Sequence, residues 1–351
     1  MPAFATPGRV TAVHPLWAIE GGRVTIEGNG FSVDPALPQV RIGSLAALVA
    51  RASATAITAV VPSGLDGGPT AVRVIDVPGE TAYVDVGTPF VTGVHQVDNP
   101  AFDRHGNLYV TFSGSRGQDA PVAVFIVRPD GSREPFVTGI ANPTSLAFSR
   151  DGRLFVSSRF DGSVYEVDAD GRPSLFASDL GVACGLAFAP DGELFVGDRS
   201  GSILRVRADG RDARLFASLP ASVAAFHLAF GPDSSLYVAA PTLGSYDVVY
   251  RVGLNGDVST CCGGFGRPQG LAFDALGHLY VVDALAGASA LYRIRLDRPD
   301  RPELMLAGGA LIGLAFDPHG GLVVASSDTV YRLRVAVRGV LPSGANQREG
   351  A

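Results

Sequence analysis

Lysine is absent from this 351-residue chain: its 28 Lys and Arg positions are all arginine. That excludes Schiff-base catalysis and a Walker-type phosphate loop, both of which need a lysine amine. Cysteine is scarce. Cys184, Cys261 and Cys262 can build neither a disulfide framework nor a CxxC metal site. The adjacent pair fits either a vicinal disulfide or two buried thiols on a strand. No uninterrupted apolar run reaches about 18 residues, the length of a membrane span. The first residues lack the basic and apolar segments of a signal peptide. A soluble, cytoplasmic protein without membrane insertion is therefore expected, exported only if a leader has been trimmed. Positive charge is not in excess either. With a formal net charge of −6, no nucleic-acid partner is expected. The single tryptophan, Trp17, is expected in core or domain-interface packing.

Glycine and proline are what the chain has in abundance, 44 and 24 residues beside 46% apolar and 18% charged ones. Without low complexity, that balance suits many short strands joined by tight turns. One stretch organises the rest: Leu-Ala-Phe-Ala-Pro-Asp-Gly-Glu-Leu-Phe-Val-Gly-Asp-Arg at 186–199. Copies stand at 100–113, 146–159, 228–241, 271–284 and 314–327, making six. Their shared phenylalanines, Phe102, Phe148, Phe188, Phe230, Phe273 and Phe316, are spaced by 46, 40, 42, 43 and 43 residues. Strands around Gly turns at that period predict propeller blades. Each full repeat reads as four strands, A to D, for example Leu186–Phe188, Leu194–Val196, Ile203–Val206 and Leu215–Ala217. Asp-Gly and Asn-Gly pairs at 130–131, 170–171, 209–210 and 255–256 favour tight turns between C and D.

The last repeat runs into a polar tail at 341–351 without a D strand. Before the first repeat, however, Thr88-Pro89-Phe90-Val91-Thr92-Gly93-Val94 nearly copies the D strand Glu134-Pro135-Phe136-Val137-Thr138-Gly139-Ile140. The strand at 88–94 is therefore expected to complete the blade begun at 314, closing six blades and removing open sheet edges. The propeller is expected over 88–340.

Residues 1–87 read differently. Alternating runs at Arg9–Val13, Arg23–Glu27, Val40–Ile42, Ala56–Val61, Ala71–Asp76 and Thr81–Val86 predict a small antiparallel sandwich of six or seven strands. The run Gly21-Gly22-Arg23-Val24-Thr25-Ile26-Glu27-Gly28-Asn29-Gly30-Phe31 lies between His14-Pro15 and Val40-Arg41-Ile42-Gly43, with Val60-Val61-Pro62 beyond. This segment resembles an IPT/TIG immunoglobulin-like domain, which implies a spacer or interaction module. The fold class is thus all-β: an Ig-like sandwich followed, with no flexible linker, by a six-bladed propeller.

Ring positions at the channel mouth are the candidates for chemistry. Four residues before the shared Phe stand Asp98, Thr144, Cys184, Phe226, Gln269 and Ile312. The next position reads Asn99, Ser145, Gly185, His227, Gly270 and Gly313. At the end of strand B stand Phe112, Ser158, Asp198, Ala240, Asp283 and Ser326. The repeats resemble NHL repeats and the SMP-30/gluconolactonase-like six-bladed propellers, through the LAF and Asp-Gly pattern across all six copies. That resemblance implies a channel calcium held by a Glu, Asn residues and an Asp. Asp98 falls on the Glu position, Cys184 and Phe226 on the Asn positions, and Gln269 on the Asp. A thiol and a phenyl ring do not supply the six to eight oxygens calcium wants. No cofactor or metal is expected, and calcium is disfavoured.

Three of the six histidines, His105, His278 and His319, lie in A–B turns on the opposite face. Only His95 and His227 approach the mouth, too few for a three-histidine zinc site. Cys184 with His227 reads either as a nucleophile–base pair or as a buried thiol beside a capping imidazole. Arg116, Arg159, Arg199 and Arg267 share the mouth with Asp98, Asp119, Asp198 and Asp283. They form either an anion-reading rim or solvated ion pairs. Two functions follow as expectations. One is a recognition protein that binds a small molecule, an anionic one suiting the arginines, or a protein partner. The other is an SMP-30-like hydrolase, a lactonase or esterase, with Asp98 as acid–base.

Overall fold

Eight strands lie between Arg9 and Val86: β1 (Arg9–His14), β2 (Trp17–Ala18), β3 (Arg23–Asn29), β4 (Val40–Ile42), β5 (Leu45–Ala52), β6 (Ala56–Val60), β7 (Gly68–Val74) and β8 (Ala82–Val86). The computed structural model describes residues 8–77, 81–95, 99–117, 120–224, 226–244, 246–285 and 289–339. Side chains alternate across each strand, so every second residue turns inward. Val13, Val24, Ile26, Ile42, Ile57, Val72 and Val84 thereby share one buried cluster. Two strands were not expected from the pattern. Strand β5 is alanine-rich and weakly alternating; Leu45–Ala47 pair with β4 while Leu48–Ala52 pair with β6, so it passes between the two layers. Strand β2 has only two residues, too few for any period to show.

Beyond Gly87, β9 (Thr88–Thr92) begins at once, and the repeats follow. Each repeat lays down its strands A to D as antiparallel neighbours in chain order. The repeats beginning at Ala101, Pro143, Ala183 and His227 form separate four-stranded sheets. A fifth such sheet consists of Gly313–Asp317, Gly321–Ala325, Thr329–Leu333 and then β9. There β9 supplies the outer strand, pairing Val91 with Val330 and Thr88 with Arg332. The innermost strands touch one another in chain order, and Ala101–Phe102 touches Gly313–Asp317.

The remaining repeat departs from the expected six separate units. Its strands Pro268–Phe273, Leu279–Asp283, Ala290–Ile294 and Glu303–Ala307 are the end of a twelve-stranded sheet. The cause is β2, which lies parallel both to β8 and to Glu303–Ala307. The Ile19 N–H donates to the Ala307 carbonyl at 3.0 Å, and the Gly87 N–H to the Ala18 carbonyl at 2.8 Å. An outer edge that would otherwise be bare is thus paired with the sandwich. Trp17, at this junction, packs against the cluster of Tyr280, Leu291, Leu306 and Leu333. Among the described residues no helix is long and apolar enough to cross a membrane. The tail expected at 341–351 lies outside the described residues.

A second regularity was not read from the sequence. Every outer strand of the repeats carries a β-bulge at the same register, where one extra residue escapes the ladder. The extra residues are Phe136, Phe176, Phe216, Cys261, Met305 and Phe90. Because of the bulge, two successive side chains face the same apolar cluster, for example Phe176 with Ala177 and Phe216 with Ala217. Three of the extra phenylalanines stand edge-on to a strand-B ring: Phe136 to Tyr109, Phe176 to Phe155 and Phe216 to Phe195. Those B-strand rings stand edge-on in turn to the shared Phe of the next repeat.

Candidate functional site

Pro143 pairs with Ser158, Ala183 with Asp198 and Pro268 with Asp283. The loop entering each inner strand therefore shares one end of the repeats with the loop leaving strand B. That end is the mouth. Most ring residues there are buried: Thr144, Cys184, Phe226, His227 and Gln269, with Ile312 half-buried. Thr144 Oγ1 donates to the Asn142 carbonyl at 3.2 Å. Phe226 is packed with Leu228, Leu236, Val238 and Ile203. A side chain at Gly197 would collide with the Phe226 side chain at 2.8 Å, and one at Gly185 with the Phe226 carbonyl at 2.2 Å. The phenyl ring is therefore core between neighbouring repeats rather than an open pocket wall. Asp98 and Asp119 lie outside the described residues. Next to Asp98, Asn99 bridges two other repeats, donating to the Leu271 carbonyl at 3.3 Å and accepting from Leu314 N–H at 3.2 Å.

The acidic residues of the mouth are engaged with the chain itself. Asp198 accepts from the Val182 N–H at 2.8 Å and from the Ser200 hydroxyl. Asp283 accepts from the N–H groups of Gly266 and Arg267 at 3.0 and 2.7 Å. Asp247 does the same work for Thr242, taking its N–H at 3.0 Å and its hydroxyl at 2.6 Å. Each carboxylate fixes the loop that covers it. Among the arginines, Arg199 donates to the carbonyls of Ser222 and Val223 at 3.2 and 3.0 Å. Arg159 donates to Ser113 Oγ at 3.1 Å. Arg116 and Arg267 are exposed, and among the described residues neither guanidinium has a hydrogen-bond or ion-pair partner.

Asn142 was missed as an organiser of this face. It is fully buried, has φ 44°, and donates to the carbonyls of Ser113 and Ser115 at 2.6 and 2.9 Å. Its Oδ1 accepts from the Gly117 N–H at 2.7 Å. The loop carrying Arg116 is thereby held from inside. The Asn-Pro step after Ala141 was the available signal, because Asn tolerates the left-handed region better than most residues. Exposed apolar side chains also crowd the mouth loops: Phe160, Leu243, Tyr246 and Leu285.

Two clefts lie at the other end of the repeats. One of about 460 Å³ is lined by Arg150, Asp151, Arg153 and the rings of Phe155, Phe176 and Phe188. Another, of about 290 Å³, lies by Phe195, Phe216 and Phe230. Both include A–B turn residues, so they open at the end opposite the mouth. Among the described residues no group of three or more His, Cys, Asp or Glu side chains converges.

A family model described as IPT/TIG domain matches residues 9–87, and one described as WD domain, G-beta repeat matches residues 133–166. No curated protein matches the sequence. Solved structures similar to the chain include a protein of unknown function from Bacteroides thetaiotaomicron, with TM-score 0.60 and 15% identity, covering 96% of this chain and 99% of that one. A gluconolactonase-like protein has TM-score 0.60 and 18% identity, covering 73% and 93%. An auxiliary nutrient binding protein from Bacteroides thetaiotaomicron has TM-score 0.55 and 12% identity, covering 94% and 98%. At these identities the likeness concerns the fold. The chain is an all-β protein that joins a TIG domain to a β-propeller.

Proposed function

We propose that this chain is a recognition protein whose propeller binds an anionic small molecule, or an acidic segment of a protein partner, at the mouth. We count six blades, taking Pro268–Ala307 as the fifth and β9 as the strand that closes the sixth. One observation carries the functional reading. The described mouth carboxylates Asp198, Asp247 and Asp283 are spent on loop donors, whereas the guanidiniums of Arg116 and Arg267 remain open to solvent. A rim so arranged offers planar donors to a carboxylate or phosphate, with Gln269, Thr144 and Ile312 behind it. Arg159 and Arg199 hold loops in this reading, and Cys184, Phe226 and His227 shape the floor.

A lactonase-like or esterase-like hydrolase is the second reading, favoured by the likeness of fold to a gluconolactonase-like protein. It would rest on Asp98 as acid–base, and calcium would be its metal. The two separate cleanly. A panel of carboxylates and phosphates is screened by thermal shift on the parent, Arg267→Ala and Arg116→Ala, alongside lactone and ester hydrolysis with and without calcium. Recognition predicts a saturable rise in Tm that the arginine variants lose, without turnover. Hydrolysis that disappears in Asp98→Asn would establish the enzyme instead.

A further inference from the structure

Four of the six outer-strand bulges place a phenylalanine outside the ladder; in the repeat spanning His227–Phe265 that residue is Cys261. Successive residues on a regular strand face opposite ways. Here the bulge lets both Cys261 and Cys262 face the apolar cluster of Tyr237, Val249, Leu271 and Phe273. Cys262 is buried, while Cys261 is half-buried and reachable from solvent.

The polar surroundings divide the labour between the sulfurs. Arg251, on the neighbouring strand, is clamped by Asp233, with Nε and Nη2 at 2.9 and 2.8 Å from Oδ2. The adjoining Cys262 side chain and the field of Arg251 draw the Cys261 thiol below its ordinary range, against burial and the Asp233 charge. The adjoining Cys261 side chain, with burial, pushes Cys262 up. A half-buried, reachable sulfur beside a second thiol is the arrangement of an oxidation-sensitive pair.

We propose that Cys261 and Cys262 are a site of reversible oxidation by peroxides, with Cys261 attacking and Cys262 resolving. The Cys261 thiolate attacks one peroxide oxygen, the O–O bond breaks, and hydroxide, or an alkoxide from an alkyl peroxide, departs to leave a sulfenic acid. The Cys262 thiol then displaces that oxygen as water, forming the S–S bond. Two thiols give two electrons to one peroxide. The obstacle is geometric. Adjacent Cα atoms stand about 3.8 Å apart across a trans peptide, short of the usual disulfide span of roughly 4.4–6.8 Å. The bulge answers it, since Cys261 pairs with no residue opposite and its peptides can turn while Val249–Cys262 and Tyr250–Thr260 stay paired. Residual strain then makes the bridge easy to reduce.

The test treats the full chain with hydrogen peroxide and counts thiols after denaturation. The count should fall from three cysteines to one, with a bridged 261–262 peptide that dithiothreitol reopens. Cys262→Ser should stop at a sulfenic acid on Cys261, trapped by dimedone, and Arg251→Gln should slow the reaction severalfold. Retention of all three thiols, sulfinic acid at Cys261 without a bridge, or oxidation of Cys184 in its place overturns the proposal. The parent protein alone decides this, even if a variant fails to fold.

Discussion

Tyr109, Tyr237 and Tyr280 occupy one position of the repeat, each edge-on to the shared Phe of the following copy. Burial, reinforced by Asp103, Asp233 and Asp274 respectively, pushes all three hydroxyls up to about 12. In the unfolded chain they return to about 10. A group whose folded value is raised contributes stability that is complete below the unfolded value and is lost as pH rises through the folded one. The urea midpoint should therefore be little changed by these residues up to about pH 10 and fall between about 10 and 12. With no lysine in the chain, the other groups raised into that window are tyrosines too, Tyr165, Tyr250 and Tyr292. Tyr280→Phe should flatten the fall; an unchanged slope would mean that these rings do not govern it. At this scale the sequence identified Asp198, Asp283, Arg159 and Arg199 as belonging to the mouth, but not what they do there. A carboxylate that holds a loop and one that moves a proton are the same letter. What distinguishes them is the Val182 or Gly266 N–H facing the oxygen, which depends on a loop conformation that no periodicity encodes.

Between repeats, the C–D turn of one packs on the bulged residue of the one before. A side chain at Gly210 would meet the Phe176 carbonyl at 2.1 Å, and one at Gly171 the Phe136 carbonyl at 2.0 Å. Both glycines also have positive φ, 73° and 80°. Gly152, in an A–B turn, has φ 87° but would meet nothing within 4 Å. These positions separate two costs. Gly152→Ala should lose only the backbone allowance, about 1–2 kcal/mol. Gly210→Ala should lose that and about 1–3 kcal/mol more, because a backbone carbonyl has to move. Equal losses in chemical denaturation would show that the repeats are not seated on each other through these turns. The Asp-Gly turn was legible in the sequence because turn chemistry is local. Its seat was not, since the partner carbonyl lies in the preceding repeat. The bulge did leave a trace: Phe176-Ala177 and Phe216-Ala217 put two inward residues in succession, against the alternation of a regular strand.

Across the whole molecule, the sandwich and the repeats share structure rather than merely touching. Strand β2 is the hinge of this sharing, and the residue after it, Ile19, is fully buried among Leu291, Leu306, Leu311 and Leu333 of the repeats. Gly87 and Gly308 allow the approach: a side chain at either would meet Leu333 or Ile19 at 2.8 or 3.0 Å. Tyr331 donates to Glu20 at 2.8 Å across the same seam. The immediate start of β9 after β8 suggested close docking, yet nothing in a two-residue strand announced that it would extend a sheet of the repeats. Parallel pairing over Trp17 and Ala18 is set by partners almost 290 residues away (Trp17 to Leu306). If the seam couples the two parts, the parent should unfold in one transition, reported alike by Trp17 fluorescence and by far-ultraviolet dichroism. Ile19→Ala should cost about 2–5 kcal/mol, the range for emptying a fully buried aliphatic site. Ile19→Asp should go further, because a carboxylate among leucines has no partner, and the fluorescence and dichroism transitions should then separate. The sandwich supplies a strand and a core residue to the repeats, so the chain from Thr88 onward, expressed alone, should be less stable than the parent. A parent with two transitions, or a truncated chain as stable as the parent, would show that the shared sheet leaves each part independent.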